Sequence, residues 1–246
     1  MRKTVLITGG SRGIGRAIAL KLSEQAQAYD IAITYNENKE AALEVKSQIE
    51  KNGRRAMVLK CDVAFCEEVD RVYDEILNTW GPVDVLINNA GIADKTLFQD
   101  MELESFKRIM DVNVTGVFNT IKAVLPAMIS KKEGYILNIS SMWGLVGASM
   151  EVAYSASKGA VNSLTKALAK EVGYSGIIVN AIAPGATMTQ MCEDLGAEVL
   201  KDLCEEIPAG RLARPDEIAN LAIFMISGKC DYIQGQIISP NGGLVI

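Results

Sequence analysis

A chain of 246 residues with 49% hydrophobic and 22% charged side chains has enough apolar surface for a large core, which excludes an intrinsically disordered protein. Its net charge of −5, with no cationic run longer than Arg54-Arg55 or Lys131-Lys132, excludes the basic footprint of a nucleic-acid binder. It has no histidine, so Ser-His-Asp triads, Cys-His pairs and His-ligated zinc are excluded, and no metal site is expected.

The N-terminal run Val5-Leu6-Ile7 is too short for the core of a signal peptide and leads straight into a glycine-rich turn. No uninterrupted apolar stretch reaches the roughly 18 residues of a membrane span. No membrane association is expected, and a cytoplasmic location is. The five cysteines form no C-x-x-C pair and are expected to be reduced thiols.

In chain order, the β-rich apolar runs are Thr4 to Thr8, Ile31 to Tyr35, Ala56 to Lys60, Val83 to Asn88, Gly134 to Ser140, Ile177 to Ala183 and Gln236 to Ser239. Amphipathic stretches with helical spacing lie between them: Ile14 to Gln25, Lys39 to Asn52, Glu67 to Thr79, Leu103 to Ser130, Val152 to Val172 and Pro215 to Ser227. This alternation predicts βαβ units and a mostly or wholly parallel sheet with helices on both faces. A largely apolar strand such as Val83-Asp84-Val85-Leu86-Ile87 fits a sheet covered on both sides. No linker, repeat or low-complexity tract divides the chain, so residues 1–246 are expected to form a single doubly wound α/β domain. The segment Thr187 to Pro208 interrupts the last βα rhythm and is expected to be a helical lid, at about 187–208.

The first strand runs into Thr8-Gly9-Gly10-Ser11-Arg12-Gly13-Ile14-Gly15, a G-x-x-x-G-x-G spacing of Gly9, Gly13 and Gly15. Glycine permits the tight turn and lets backbone N–H groups approach a pyrophosphate, and the helix near Ile14 points its positive end at the same place. An ordinary glycine-rich turn is the competing reading, but the motif here has the strand before it and the helix after it that it requires. Ser11, Arg12 and Ile14 are expected to share in the phosphate site. Asp62, followed by Val63, ends the third strand, where its carboxylate either accepts from an adenine amino group or caps the next helix. Asn89, Ala90 and Gly91 follow the fourth strand at the same carboxyl edge. The second strand ends Tyr35-Asn36 with no acid before Glu37. A carboxylate there would bind ribose hydroxyls and repel a 2′-phosphate, whereas Arg12 offers a guanidinium fork suited to one. NADP(H) is therefore the expected cofactor.

Tyr154 and Lys158, four residues apart, share one face of a helix. A free phenol ionises near pH 10, and a neighbouring ammonium favours the phenolate, which makes Tyr154 a candidate acid and base in a chain without histidine. A solvent-facing pair on an ordinary helix is the competing reading. Ser141, after Ser140 at the end of the fifth strand, is placed to hydrogen-bond a substrate oxygen. Asn113 lies mid-helix, where Asn is a poor former, so either a special task or a satisfied buried amide accounts for it.

Thr8 to Gly15, Asn88 to Gly91, Asn113, Ser141, Tyr154, Lys158 and Pro184-Gly185, in that order and spacing, resemble the pattern of the short-chain dehydrogenases/reductases, and the resemblance spans essentially the whole chain. It implies a Rossmann fold and hydride transfer from a nicotinamide. It makes Tyr154 the proton donor in reduction and gives Lys158 two tasks, lowering the tyrosine pKa and binding the nicotinamide ribose. Ser141 would orient the carbonyl and Asn113 would hold a water in the proton relay. Pro184, Gly185, Thr187 and Thr189 would flank the nicotinamide. It also implies a homo-oligomer, a tetramer through the fourth and fifth helices.

Within the family the chain is most similar to the 3-oxoacyl-(acyl-carrier-protein) reductases, through Gly10 to Gly15, Ile207-Pro208-Ala209-Gly210-Arg211 and the tail Gly235 to Gly243. That implies a thioester substrate, carrier-bound in the relatives. Two departures bear on the carrier. Tyr174-Ser175-Gly176 stands where an Arg is common, leaving Lys131 and Lys132 as carrier contacts, and Met150-Glu151-Val152-Ala153 replaces a Gly-Gln-Ala-Asn-like stretch before Tyr154. The rival readings are a dehydrogenase/reductase of a free small alcohol or ketone and a non-catalytic nucleotide-sensing protein on the same fold.

Overall fold

The structure, a computed structural model, describes residues 2–190 and 197–246. Seven strands form one sheet: β1 (Lys3–Ile7), β2 (Tyr29–Tyr35), β3 (Arg55–Lys60), β4 (Val85–Asn88), β5 (Gly134–Ile139), β6 (Ile177–Ile182) and β7 (Ile237–Ile238). They lie in the order β3-β2-β1-β4-β5-β6-β7 and every pairing is parallel. This is the doubly wound fold that the alternation of runs implied, with the order reversing between β1 and β4.

Successive strand residues face opposite sides, and the two cores divide on that period. Val5, Ile7, Val85, Ile87, Tyr135 and Leu137 pack under α1 (Gly13–Ser23), α2 (Lys39–Lys51) and a late helix, Pro215–Met225. Leu6, Leu86, Ile136 and Val179 pack under α3 (Cys66–Trp80), the long helical run 103–131 and the helix Val152–Val172. Each face is covered, so β2 carries no exposed residue at any of its positions. The buried Asp30 on that strand is held by Arg2 and Arg55 from the sheet's rim.

The spacing predicts one helix from Leu103 to Ser130, and the structure divides it. α4 (Leu103–Met110) passes into a π turn, Asp111–Thr115, before α5 (Gly116–Lys131). Gly116 N donates to Asp111 O, an i→i−5 bond. At this turn the Asn113 side chain bonds to the loop after β4, at Ile92. An 18-residue window of this run is apolar enough to cross a membrane, with a mean hydropathy of 1.3, although no stretch of it is uninterrupted. Half of that window is buried, and the run packs against α3, β4, β5 and the helix Val152–Val172, so its apolar face is a core face.

Downstream lie α6 (Trp143–Val146), α7 (Val152–Val172), α8 (Ala197–Glu206) and α9 (Pro215–Met225). β4 starts two residues later than the apolar run because Asp84 is used otherwise: its carboxylate accepts from Thr4 N at 2.8 Å and pairs with Lys131. The expected lid falls partly on residues 191–196, outside the described residues. On either side of that gap, Met188 N donates to Ala213 O at 2.8 Å and α8 is helical.

Candidate active site

The carboxyl ends of β1, β4, β5 and β6 share one edge of the sheet, and most of the expected site residues stand there. After β1 the chain turns through Gly9 (φ +64) and Gly13 (φ +54), left-handed conformations that favour glycine. A Cβ on Gly10 would sit 2.7 Å from Ile33, and one on Gly15 would collide with the Asn89 amide and the Gly9 carbonyl. The loop is fastened to β4: Thr8 Oγ1 accepts from Asn89 N and Ala90 N at 3.0 Å each, and Asn89 Nδ2 donates to Thr8 O at 3.0 Å and Gly9 O at 2.9 Å. The result is a bare backbone cradle at the start of α1, with half-buried Ser11 and Ile14 and exposed Arg12 on it. Such a cradle fits a dinucleotide pyrophosphate. Arg12 makes no ion pair among the described residues. Tyr35 is buried, Asn36 is exposed, and no carboxylate is held at this strand end, since Glu37 is also exposed.

Two further nucleotide-end candidates, Asp62 and Val63, have contacts of their own within the protein. Asp62 does not cap α3, whose flanking residue is Phe65 without a side-chain cap. Its carboxylate instead pairs with Arg108 of α4 at 2.6 Å and accepts from Ala64 N at 3.1 Å. Any adenine amino group would share Asp62 with that guanidinium. Val63 turns its side chain into the core, against Gly116, so only its backbone faces the edge.

At the chemical end, Lys158 is 4% exposed and its Nζ donates to Ile139 O at 2.8 Å, 5.6 Å from the centre of the Tyr154 ring. Burial alone pulls its pKa from 10.5 down to about 8. The pair is therefore not a solvent-facing pair on a helix surface. Ser141, 6% exposed, accepts from Trp143 N at 3.2 Å, while Ser140 bonds back to Lys158 O. Of the two serines, Ser140 is thus engaged in holding β5 to α7. Asn113 is fully buried: Oδ1 accepts from Ile92 N, and Nδ2 donates to Ile92 O and to Ser157 Oγ, all at 2.9 Å. Its amide is saturated by protein, so a water would have to be held by its main chain. Gly91 lies between these groups, since a Cβ there would fall 3.2 Å from Asn113 Oδ1 and 3.4 Å from Lys158 Nζ. Pro184 O accepts from Met142 N, Thr187 Oγ1 donates to Gly185 O, and Thr189 closes over Gly13.

Sequence reasoning missed Ser157, which passes the Asn113 contact on to Tyr154 O at 2.7 Å. It also missed a buried ladder behind the site, Thr120 to Asn88 to Asn138 to Thr165, with bonds of 2.6 to 2.9 Å. The signal was present in two asparagines placed inside apolar strands, where they are disfavoured.

A sequence model of the family described as "short chain dehydrogenase" matches residues 3–199. The chain is 39% identical over 244 residues to the 3-oxoacyl-[acyl-carrier-protein] reductase FabG of Staphylococcus aureus, covering 99% of this chain and 98% of the relative. It is 40% identical to the uncharacterized oxidoreductase YmfI of Bacillus subtilis, over 99% of both chains. The crystal structure of 3-oxoacyl-[acyl-carrier protein] reductase from Brucella melitensis superposes with a TM-score of 0.93 at 34% identity, covering 99% of this chain and 91% of that one. A glycine cradle, a buried lysine beside a tyrosine and a full-length likeness of this degree have one source: the chain belongs to the short chain dehydrogenase family and is an oxidoreductase that takes a nicotinamide cofactor.

Proposed function

We propose that this chain reduces the 3-oxo group of an acyl thioester to the hydroxy product with NADPH, in fatty acid biosynthesis and in the cytoplasm. The observation that carries the reading is the buried Lys158 ammonium beside Tyr154, at the same sheet edge as Ser141 and the glycine cradle. NADPH, when bound, supplies the hydride. Ser141 orients the carbonyl oxygen, and Tyr154 gives that oxygen its proton. Lys158 favours the phenolate that remains and holds the nicotinamide ribose. Its depressed pKa lets it exchange protons near neutral pH. The Asn113 main chain, in the π turn, holds the water through which Lys158 is reprotonated; π turns recur at functional sites. Pro184, Gly185, Thr187 and Thr189 flank the nicotinamide. The assay is NADPH oxidation followed at 340 nm with acetoacetyl thioesters and then with a ketone panel; no turnover on any carbonyl would sink the reading.

For the cofactor, an uncommitted Arg12 and the absence of an acid at Tyr35-Asn36 support NADPH over NADH. Arg12→Ala is expected to weaken NADPH by roughly 1.5–3 kcal/mol, the worth of a charge-assisted contact, and to leave NADH nearly unchanged. Comparing kcat/KM for both cofactors in both proteins checks this, and equal loss with the two would show that Arg12 does not read the 2′-phosphate.

For the carrier, Ser175 stands where a cation is common, and Lys131 is already paired with Asp84. An acyl-carrier substrate is therefore expected to show little advantage over its small thioester analogue. A large, salt-sensitive preference for the carrier-bound form would locate docking elsewhere on the surface. A homotetramer is the expected assembly. Leu103, Phe118 and Ile129 leave α4 and α5 with exposed apolar side chains that such an assembly would cover.

A further inference from the structure

Between Ser141 and Tyr154 the segment 142–153 carries one charged side chain, Glu151. Around it Leu145, Val146, Met150 and Val152 are exposed and apolar. Glu151 directly precedes α7, and three- and four-residue spacing puts it on the helix face that carries Tyr154 and Lys158. Lys158 is buried, and Tyr154 and Glu151 are each partly exposed.

The loop that leaves β4 folds back onto this point. Thr96 N donates to Met150 O at 2.9 Å, and Lys95 Nζ lies 3.8 Å from Glu151 Oε1. Met150, at φ +63, is a non-glycine residue in the left-handed region, one of two among the described residues. The Glu151 side chain is only 14% exposed, while that of Lys95 is half exposed. Among the described residues the carboxylate accepts no hydrogen bond, and its one partner is that long ion pair. Burial raises its pKa against the opposing pull of Lys95. A single long ion pair to a half-exposed lysine contributes little to stability, and the place of Glu151 three residues before the proposed proton donor gives it another use.

We propose that Glu151 sets substrate specificity by charge: it rejects substrates that carry a carboxylate beside the reacting carbonyl and admits neutral esters, thioesters and amides, while Lys95 tempers the rejection. The inference rests on the reductase reading above and names the class of substrate that the same site accepts. Rejection by like charge is a means of discrimination separate from attractive contacts. A free 3-oxo acid would bring its carboxylate two carbons from the carbonyl held at Ser141 and Tyr154, at the helix face that also carries Glu151. Its ester or thioester brings no charge there.

The test uses two substrates of one skeleton, acetoacetate and ethyl acetoacetate, with NADPH, and reads the ratio of their kcat/KM values. In the wild type the ratio favours the ester. Glu151→Gln, which keeps the shape and removes the charge, is expected to shift the ratio toward acetoacetate by about tenfold or more. Lys95→Met, on the exposed loop, is expected to shift it the other way by about threefold. Opposite signs are the signature, because a merely structural disturbance would move both substrates together. An unmoved ratio in Glu151→Gln, or a shift of the same sign in both variants, overturns the inference and leaves the reductase reading standing. A wild type that turns over no carbonyl at all overturns both.

Discussion

Tyr154→Phe is expected to bind NADPH as the wild type does and to turn over at least about a hundredfold more slowly, the usual scale for a lost general acid. The substitution keeps the ring and removes one hydroxyl. The ring rests beside Lys158, and the nucleotide cradle is built from Gly9 to Gly15 and Asn89, a separate set of contacts. Fold and cofactor binding should therefore survive. Raising the pH should not restore the alcohol-oxidising reaction, because no phenol remains to ionise. The measurement is a fluorescence titration with NADPH beside turnover on the best carbonyl found. Near-full activity with normal NADPH binding would mean that the Tyr154–Lys158 pair takes no part in the chemistry.

Lys158→Met is expected to do two opposite things, and the second follows from burial. Turnover should fall by about a hundredfold or more and NADPH should bind more weakly, since the ammonium is proposed to serve both phenol and ribose. At high pH the alcohol-oxidising reaction should partly recover, because a phenol without its cationic neighbour still ionises, only later. Stability should rise. In the unfolded chain the amine keeps its proton to about pH 10.4, and in the fold only to about 8. Between those values the unfolded state binds more protons, so wild-type stability increases with pH across that window and carries its full penalty below it. Removing the amine lifts a penalty of about 3 kcal/mol at pH 7. The orphaned Ile139 carbonyl returns about 1 kcal/mol of that. A Tm several degrees above wild type at pH 7, with the gap narrowing toward pH 10.5, is the expected result. A variant that is less stable at pH 7, or whose gap does not change with pH, would show that the fold tolerates the buried amine without cost.

The fold was legible because its signals are periodic and redundant. Each strand run was found within about two residues, and α7 was found to the residue, since an apolar stripe against a covered sheet leaves little freedom. The glycine loop was legible for a different reason: few residues other than Gly9 and Gly13 adopt its backbone, so the constraint is written in residue type. What stayed hidden was non-local. Nothing near Asp62 in the chain announces Arg108, 46 residues on, and nothing near Asn113 announces Ile92 and Ser157. The break between α4 and α5 was also invisible, because both halves carry apolar residues at helical spacing and one extra residue shifts the phase by only a fraction of a turn. Lys158 could be named from its spacing to Tyr154, but its depressed pKa comes from burial, which spacing does not reveal.

That extra residue can come and go without disturbing the core. An α-helix advances about 100° per residue, and the π turn spends one residue without that advance, since Gly116 N reaches Asp111 O five positions back. Removing one position from 111–115 would restore regular winding and leave Val117, Ile121, Val124 and Met128 facing the sheet they seal. A lineage could shed the widened turn by one deletion, as it could lose Tyr154 or Lys158 by one codon change, and keep its architecture. The turn is thus not guarded by selection on folding, and would be expected to disappear in descendants that gave up the activity proposed for it.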